Sequence, residues 1–410
     1  MPSSIAVNAN WCAPPCRKPE RTTGANFSPH GRRSVKSGPI SPAVRVESLD
    51  QEGRGIAHLD GKVIFIEGAL TGETVEYVSF QRKPSYELAE VKRIIRASVS
   101  REQPRCRYFG VCGGCSMQHL EPRAQVAAKQ RVLEDNLSRI GKVTPETILS
   151  PIHGPTWQYR YRARFSARHV AKKGTLVGFR ERRSSFVVDM QTCEVVPSRT
   201  SALLIPLREL IASLSIRERL PQIELAIGDA VDVLVLRVLE PPDDADLDKL
   251  REFAIRHRVQ LLLQPKGPDS VYALSAQEVI PLQYRIPDFD LTFPFNATDF
   301  TQVNHEINRV LVRRAIALLD PQPGERVADF FCGLGNFSLA LARRGAHVLG
   351  VEGNARLVQR AYENAVLNNL EGQCRFLDKD LFKITAQDWK ELGPFDRILI
   401  DPPRDGAMEL

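Results

Sequence analysis

From about residue 300 the chain alternates strand and helix, and this constrains the fold more than any other feature. A helical run with Ile307, Val310, Leu311, Ile316 and Leu319 precedes an apolar strand at 326–331. A glycine-rich turn and a helix follow, then a strand at 347–351. A helix to about 369, a strand near 374–377 and a strand at 396–400 complete the run. Alternation of this kind requires a parallel sheet. The first strand ends in Asp329-Phe-Phe-Cys-Gly333-Leu-Gly335-Asn336-Phe337, so Gly333 and Gly335 sit where a strand turns into a helix. Two glycines let the backbone approach a ligand closely and expose amides at the helix start. Glu352 ends the next strand, Asp380 the third, and Asp401-Pro402-Pro403-Arg404 the fourth. Four polar strand ends on one carboxyl edge point to a nucleoside site, and Glu352 is placed to take both ribose hydroxyls. Each acid alone would more often be a helix cap or a solvated loop residue. The third glycine of a dinucleotide fingerprint is missing, which disfavours NAD. Asp-Pro-Pro resembles the motif of methyltransferases acting on bases or amides, so the cofactor is read as S-adenosylmethionine.

The cysteines form a second pattern. Three of the eight fall within ten residues, in Cys106-x5-Cys112-Gly-Gly-Cys115, and the next is Cys193. The two glycines let the chain fold tightly around a metal or cluster. Four thiolates suit structural zinc or an iron–sulfur cluster, and spacing alone does not separate the two. No secretory signal is evident, so the clustering points to a reduced compartment.

The rest divides by composition. Residues 1–42 are expected to be a basic tail; the first forty carry six Lys/Arg against Glu20 alone. A disordered extension, an organelle transit peptide and a mis-assigned start all fit. Residues 43–98 read as a β-domain of five short strands, at about 44–49, 56–59, 62–66, 73–80 and 87–95. Asp60-Gly61 is its hairpin turn. A small closed barrel that binds nucleic acid is the expected form. Residues 122–140 carry Val126, Leu133, Leu137 and Ile140 at helical spacing between Pro122 and Gly141. Residues 157–290 mix strands, at 231–238 and 259–264, with a helix near 246–257.

One stretch of that central region is basic and aromatic. From Arg160 to Arg183 there are nine Lys/Arg and one acid, interleaved with Tyr159, Tyr161, Phe165 and Phe179. The spacing Arg160, Arg162, Arg164 places three guanidinium groups on one strand face. Such a stripe can hold phosphates while aromatics stack on bases, although a solvated strand face has the same spacing. A net charge of +7 agrees with a polyanion partner. No run of apolar residues is long enough to cross a bilayer.

Taken together, these residues resemble the RlmD (RumA) family of bacterial 23S rRNA (uracil-C5)-methyltransferases, from about residue 44 to the last residue. Glu52-Gly-Arg-Gly-Ile-Ala57 with Gly72-Glu73 resembles a TRAM domain. The run Cys106-Arg-Tyr-Phe-Gly-Val-Cys-Gly-Gly-Cys-Ser-Met-Gln-His-Leu120 is similar to the family's cluster motif. The resemblance implies a [4Fe-4S] cluster on Cys106, Cys112, Cys115 and Cys193. Asp299-Phe-Thr-Gln302-Val-Asn304 matches a further motif. By the same resemblance Gln302, Phe331, Asn336, Glu352, Asp380 and Asp401 bind S-adenosylmethionine, Asp380 being the position that varies most.

The implied protein is a multidomain α/β enzyme. A TRAM/OB-like β-barrel (43–98) is followed by an α+β iron–sulfur and RNA-binding domain (99–295). A Rossmann-like class I methyltransferase sheet (296–410), expected to be incomplete, ends the chain. The implied reaction is methyl transfer to C5 of a 23S rRNA uridine through a cysteine–C6 adduct, in the cytoplasm, with no membrane and no obligate protein partner. Family members continue past the Asp-Pro-Pro-Arg segment to their nucleophilic cysteine and a glutamate base. No catalytic residue is therefore assigned here, and the 410 residues are expected to be inactive by themselves. The competing expectations are a tRNA uracil-C5 methyltransferase and a non-catalytic protein that binds RNA and S-adenosylmethionine.

Overall fold

The computed structural model describes residues 39–274, 280–403 and 406–407. Nearly all of the expected basic tail, together with Arg404, lies outside the described residues.

The first unit contains β1 (Val44–Arg45), β2 (Ser48–Leu49), β3 (Gly55–Leu59), β4 (Lys62–Glu67), β5 (Thr74–Arg82) and β6 (Tyr86–Arg96). Six strands replace the expected five because the first run breaks in its middle. β1 pairs with β5, and β2 pairs with β3. At the break, Val46 N donates to Glu73 O and Glu47 N donates to Ile56 O, each at 2.8 Å. The sheet order β1-β5-β6-β4-β3-β2 therefore has two ends that are consecutive parts of one segment. Alternate residues, among them Val44, Val46, Ile64, Ile66, Val75 and Tyr77, form its core. Asp60 and Gly61 both have positive φ (50° and 74°), as the two-residue turn between β3 and β4 demands.

The boundary of this unit is not where composition changes. Glu73 is fully buried. Its carboxylate accepts from Leu70 N, Ser98 N, Arg101 Nε and Arg101 Nη2 at 2.6–3.0 Å. Burial alone would raise its pKa, but Arg101 and the backbone amides of Ser98 and Leu70 hold it below the usual carboxylate range. Arg101, expected in the next domain, thus completes this one.

The central unit begins with α1 (Pro122–Asp135), capped by Glu121, whose side chain accepts from Ala124 N. One wider helical turn over Asn136–Ile140 continues it to Gly141. None of its residues is buried, and Leu133 and Ile140 are exposed. The helix was legible in its spacing, but the apolar stripe marks no core face among the described residues. The central sheet is built from β7 (Arg162–Val170), β8 (Gly174–Gly178), β9 (Gln222–Ile227), β10 (Asp232–Arg237), β11 (Gln260–Gln264) and β12 (Tyr272–Ala273). Helices α2 (Ser198–Ser201), α3 (Leu204–Ser213) and α4 (Asp244–His257) accompany it, and the order is β12-β11-β10-β9-β7-β8. β10 explains its own composition. Leu234 and Leu236 pack with Leu207 and Ile211 of α3 and with Leu250 and Phe253 of α4. Val233 and Val235 face the other way, into the core of the last unit. A strand covered on both faces reads as continuous apolar sequence.

The last unit opens with a hairpin of β13 (Gln283–Ile286) and β14 (Leu291–Pro294). Then follow α5 (His305–Leu319), β15 (Arg326–Phe330), α6 (Ser338–Arg343), β16 (His347–Glu352), α7 (Ala355–Leu367), β17 (Cys374–Asp378), α8 (Ala386–Leu392) and β18 (Arg397–Ile400). The four strands are parallel, in the order β17-β16-β15-β18. The chain steps outward from β15 to β17 and returns on the other side, so β15 is a switch point. Ligands bind at the carboxyl end of such a point. The buried residues of α5 are His305, Asn308, Val312 and Ile316, and Leu311 is exposed. β18 is an edge strand among the described residues, with Ile398 and Ile400 exposed.

Candidate cofactor loop, cysteine cavity and arginine strand

Phe331 leaves β15 with φ +64°, a left-handed conformation rare for a bulky residue. Gly333 and Gly335 follow with φ of +57° and +91°. A Cβ at Gly333 would meet nothing within 4 Å, so open space lies over the loop. Glu352, at the end of β16, accepts from Gly333 N and Asn354 N, each at 3.1 Å. Asp401 follows β18, with burial raising its carboxyl. Asp329 is buried beneath the loop and accepts from the Ser338 hydroxyl through one oxygen only. Burial pushes its carboxyl up to about 7, with Asp401 and Glu352 adding to the rise and Ser338 opposing it.

The residues expected to bind the cofactor differ in how free they are. Phe331 is partly buried, with its ring 5.5 Å from that of Phe382. Glu352 and Asp401 stand on the carboxyl edge. Gln302 is partly buried on the segment before α5. Asp380 lies two residues beyond β17 rather than at its end. It caps a short turn through Phe382 N and pairs with Lys383 at 2.9 Å, and both hold its pKa down. Asn336 turns away from the open side. Its Oδ1 accepts from Tyr284 Oη at 2.8 Å and Asn308 Nδ2 at 3.0 Å, and its Nδ2 donates to Asn308 Oδ1 at 3.0 Å. Tyr284 and Asn308 were not found by sequence reasoning. The one available signal was a polar residue on the inward side of α5.

Cys106, Cys112, Cys115 and Cys193 line one small cavity with Phe109, Gly114, Gln118, Phe179 and Met190. All four are free thiols. Burial pushes Cys112 up to about 12 and raises Cys106 and Cys193. Gly113 and Gly114 have ordinary φ. Both are tightly surrounded: a Cβ would come within 3.2 Å of Arg180 O and 3.3 Å of Phe179 Cδ2, respectively. Arg182 Nη2 donates to Cys115 O at 2.8 Å, and its Nη1 lies 3.8 Å from Glu67 of β4. Arg183 pairs with Glu90 and lies over the Phe80 ring. The cysteine loop is thereby fastened to the N-terminal unit. No group of three or more His, Cys, Asp or Glu among the described residues is placed to hold a metal ion.

The three arginines do not form one solvent-facing stripe. Arg160 precedes β7 and donates from Nε to Arg162 O at 3.2 Å. Arg162 points inward, donating to Ala297 O at 2.7 Å while its Nη1 is buried without a partner. Arg164 is exposed and pairs with Glu224 at 2.9 Å. The strand packs against the segment before α5: Tyr161 N donates to Val303 O at 2.8 Å, and Tyr161 stacks on His305 at 4.4 Å. Burial, helped by Arg309 and Arg162 and opposed by Asp229, lowers His305 to about 4, so its ring is neutral at neutral pH.

The parallel sheet with its open glycine loop, joined to a small β-domain, defines a methyltransferase-like α/β protein with an accessory N-terminal module. The profile of the tRNA (Uracil-5-)-methyltransferase family matches residues 121–409, and that of the TRAM domain matches residues 43–76. The chain belongs to that methyltransferase family and carries an N-terminal TRAM domain. A Nitrosospira multiformis protein named 23S rRNA (uracil(1939)-C(5))-methyltransferase RlmD is 59% identical over 370 residues, covering 90% of this chain and 84% of the relative. A Burkholderia pseudomallei protein of the same name is 57% identical over 378 residues, covering 90% and 80%. Among solved structures, the Pyrococcus abyssi tRNA (uracil-54, C5)-methyltransferase in complex with S-adenosyl-L-homocysteine superposes with a TM-score of 0.65 at 21% identity. The match covers 89% of this chain and 85% of that one, and shows that the two share a fold. No helix among the described residues is long and apolar enough to cross a membrane.

Proposed function

We propose that this chain places S-adenosylmethionine at the carboxyl ends of β15, β16 and β18 and serves methylation of C5 of a uridine in 23S rRNA. The observation that carries the reading is the meeting of Glu352, Asp401 and the open space over Gly333 at one sheet edge. It occurs in a chain whose relatives at 57–59% identity are named for that reaction. Bound there, S-adenosylmethionine supplies an electrophilic methyl group. Glu352 takes the ribose hydroxyls, while Phe331 and Gln302 flank the site. The same relatives support 23S rRNA as the partner and the cytoplasm as the place of action.

The chemistry asks more of the protein. Uracil C5 becomes nucleophilic when a thiolate adds to C6; a base later removes the C5 proton and the thiolate leaves. Cys332 and Cys374 do not supply that thiolate. Both are buried; burial raises Cys332 well above the ordinary thiol range and pushes Cys374 up to about 12. The other described thiols face the cavity.

The cavity is read as the seat of a [4Fe-4S] cluster on Cys106, Cys112, Cys115 and Cys193. The donor set is four thiols with no imidazole; the Glu194 carboxylate also lines the cavity, and Arg182 lies at its edge. A single zinc would draw all four sulfurs to about 2.3 Å from one point. Bound there, a cluster supplies a cross-link between the 106–115 loop and the segment bearing Cys193.

Transfer of labelled methyl from S-adenosylmethionine to 23S rRNA and to tRNA tests the whole. Binding of 23S rRNA in preference to tRNA, with any methyl transfer confined to 23S rRNA, is the expected result. Turnover abolished by Cys332→Ala or Cys374→Ala would overturn the assignment of the thiols. Preference for tRNA would replace the substrate.

A further inference from the structure

We infer that Asn336 acts chiefly as the anchor of the cofactor loop, and that Tyr284 and Asn308 are positioning residues for S-adenosylmethionine through it. This rests on the reading that the 333–337 loop receives the cofactor, and it changes the role that the resemblance gave Asn336. An amide side chain has two acceptor sites and two N–H donors. In Asn336 both acceptor sites and one donor are taken, leaving one N–H for any ligand.

The loop needs an outside anchor. Two of its residues are glycines in left-handed conformation, which hold the backbone loosely. Asn336 fastens it to two elements that cannot easily move. Asn308 is buried on α5. Tyr284 is buried on β13, its ring stacked on Phe293 at 5.0 Å and 11°. The His305 ring lies 5.4 Å from that of Tyr284, tilted by 38°, and itself stacks on Tyr161 beside the arginine strand. The Tyr284 hydroxyl is therefore aimed before any ligand arrives. All three groups are uncharged, so the anchor holds without an ion pair beside the cofactor.

The test uses the full chain, with S-adenosylhomocysteine binding followed by calorimetry and amide hydrogen exchange of the 333–337 loop followed in the free protein. Tyr284→Phe keeps the ring stack and removes one donor. It is expected to weaken binding about three- to tenfold, the worth of one net hydrogen bond, and to speed loop exchange while leaving 23S rRNA affinity unchanged. Asn308→Ala is expected to do more, and Tyr284→Phe remains decisive if that variant fails to fold. Unchanged affinity and exchange in Tyr284→Phe, with affinity lost in Asn336→Ala, would overturn the anchor and return Asn336 to direct contact. If the wild-type chain binds no S-adenosylhomocysteine while loop exchange still responds to Tyr284→Phe, the cofactor reading fails and the anchor stands.

Discussion

The cysteine loop and the cofactor loop both depend on a pair of glycines, for opposite reasons. Gly113 and Gly114 have ordinary φ and sit tight against neighbouring backbone and the Phe179 ring, where a Cβ would need those neighbours to give by a few tenths of an ångström. Gly333 and Gly335 have positive φ and are required by the path of the chain; over Gly333 the space is open. One loop is closed around its own donors, whereas the other is bent to leave a surface uncovered. Crowding alone does not separate the two loops, since Gly335 lies against Leu339; the open space over Gly333 does.

The strongest way to break the comparison is to open the closed loop. Anaerobically purified chain should be brown and contain iron, and Cys112→Ser should lose the metal and loosen the central unit. Metal analysis that finds zinc and no iron would remove the cluster. The open loop is tested next through the acid beneath it. Asp329 is held protonated up to about pH 7 when folded, against an ordinary value of 3.8. The folded chain keeps a proton that the unfolded chain has released. The associated stability is full below pH 4 and lost as pH rises through 7. Asp329→Asn should flatten that dependence and be the more stable variant at pH 8, by on the order of a few kcal/mol. Equal denaturation midpoints for the two proteins at pH 5 and pH 8 would sink this.

Smaller substitutions sharpen the contrast. Gly335→Ala meets both a positive φ and Leu339 Cδ1 at 2.7 Å, and should cost about 2–4 kcal/mol in urea denaturation. Gly333→Ala meets only the backbone term, about 1–2 kcal/mol, yet should lower cofactor binding more than its stability cost suggests. Equal losses at both positions would show that the open space is not used. The smallest effect is expected on the arginine strand. Arg164→Ala should reduce the log–log salt slope of RNA binding by about 0.7, one phosphate contact on a single strand. Arg162→Ala should damage packing against residue 297 instead. An unchanged slope in Arg164→Ala returns that residue to a solvated face.

What the sequence disclosed follows from how local each signal is. The parallel sheet, the glycine turn and the cysteine spacing are written in contiguous residues, and the structure assembles them at one sheet edge and one cavity. The roles of Arg162 and Asn336 depend on residues 135 and 28 positions away, respectively, and spacing carries no trace of those partners. Alternation placed three arginines on one face. It could not show that the chain segment before α5 covers the second of them. The stripe on α1 erred the other way: periodicity reports that a helix has an apolar side, not that anything lies against it.

Arg101 bears on how such a chain can be cut or recombined. A module boundary drawn at residue 98 would keep Glu73 and discard the guanidinium that neutralises it, leaving a carboxylate with no solvent exposure and two backbone donors. Burying an unpaired charge costs several kcal/mol. The N-terminal module therefore travels intact only with the first residues of its neighbour attached. Calorimetry of the whole chain should show the two units melting in one shared transition.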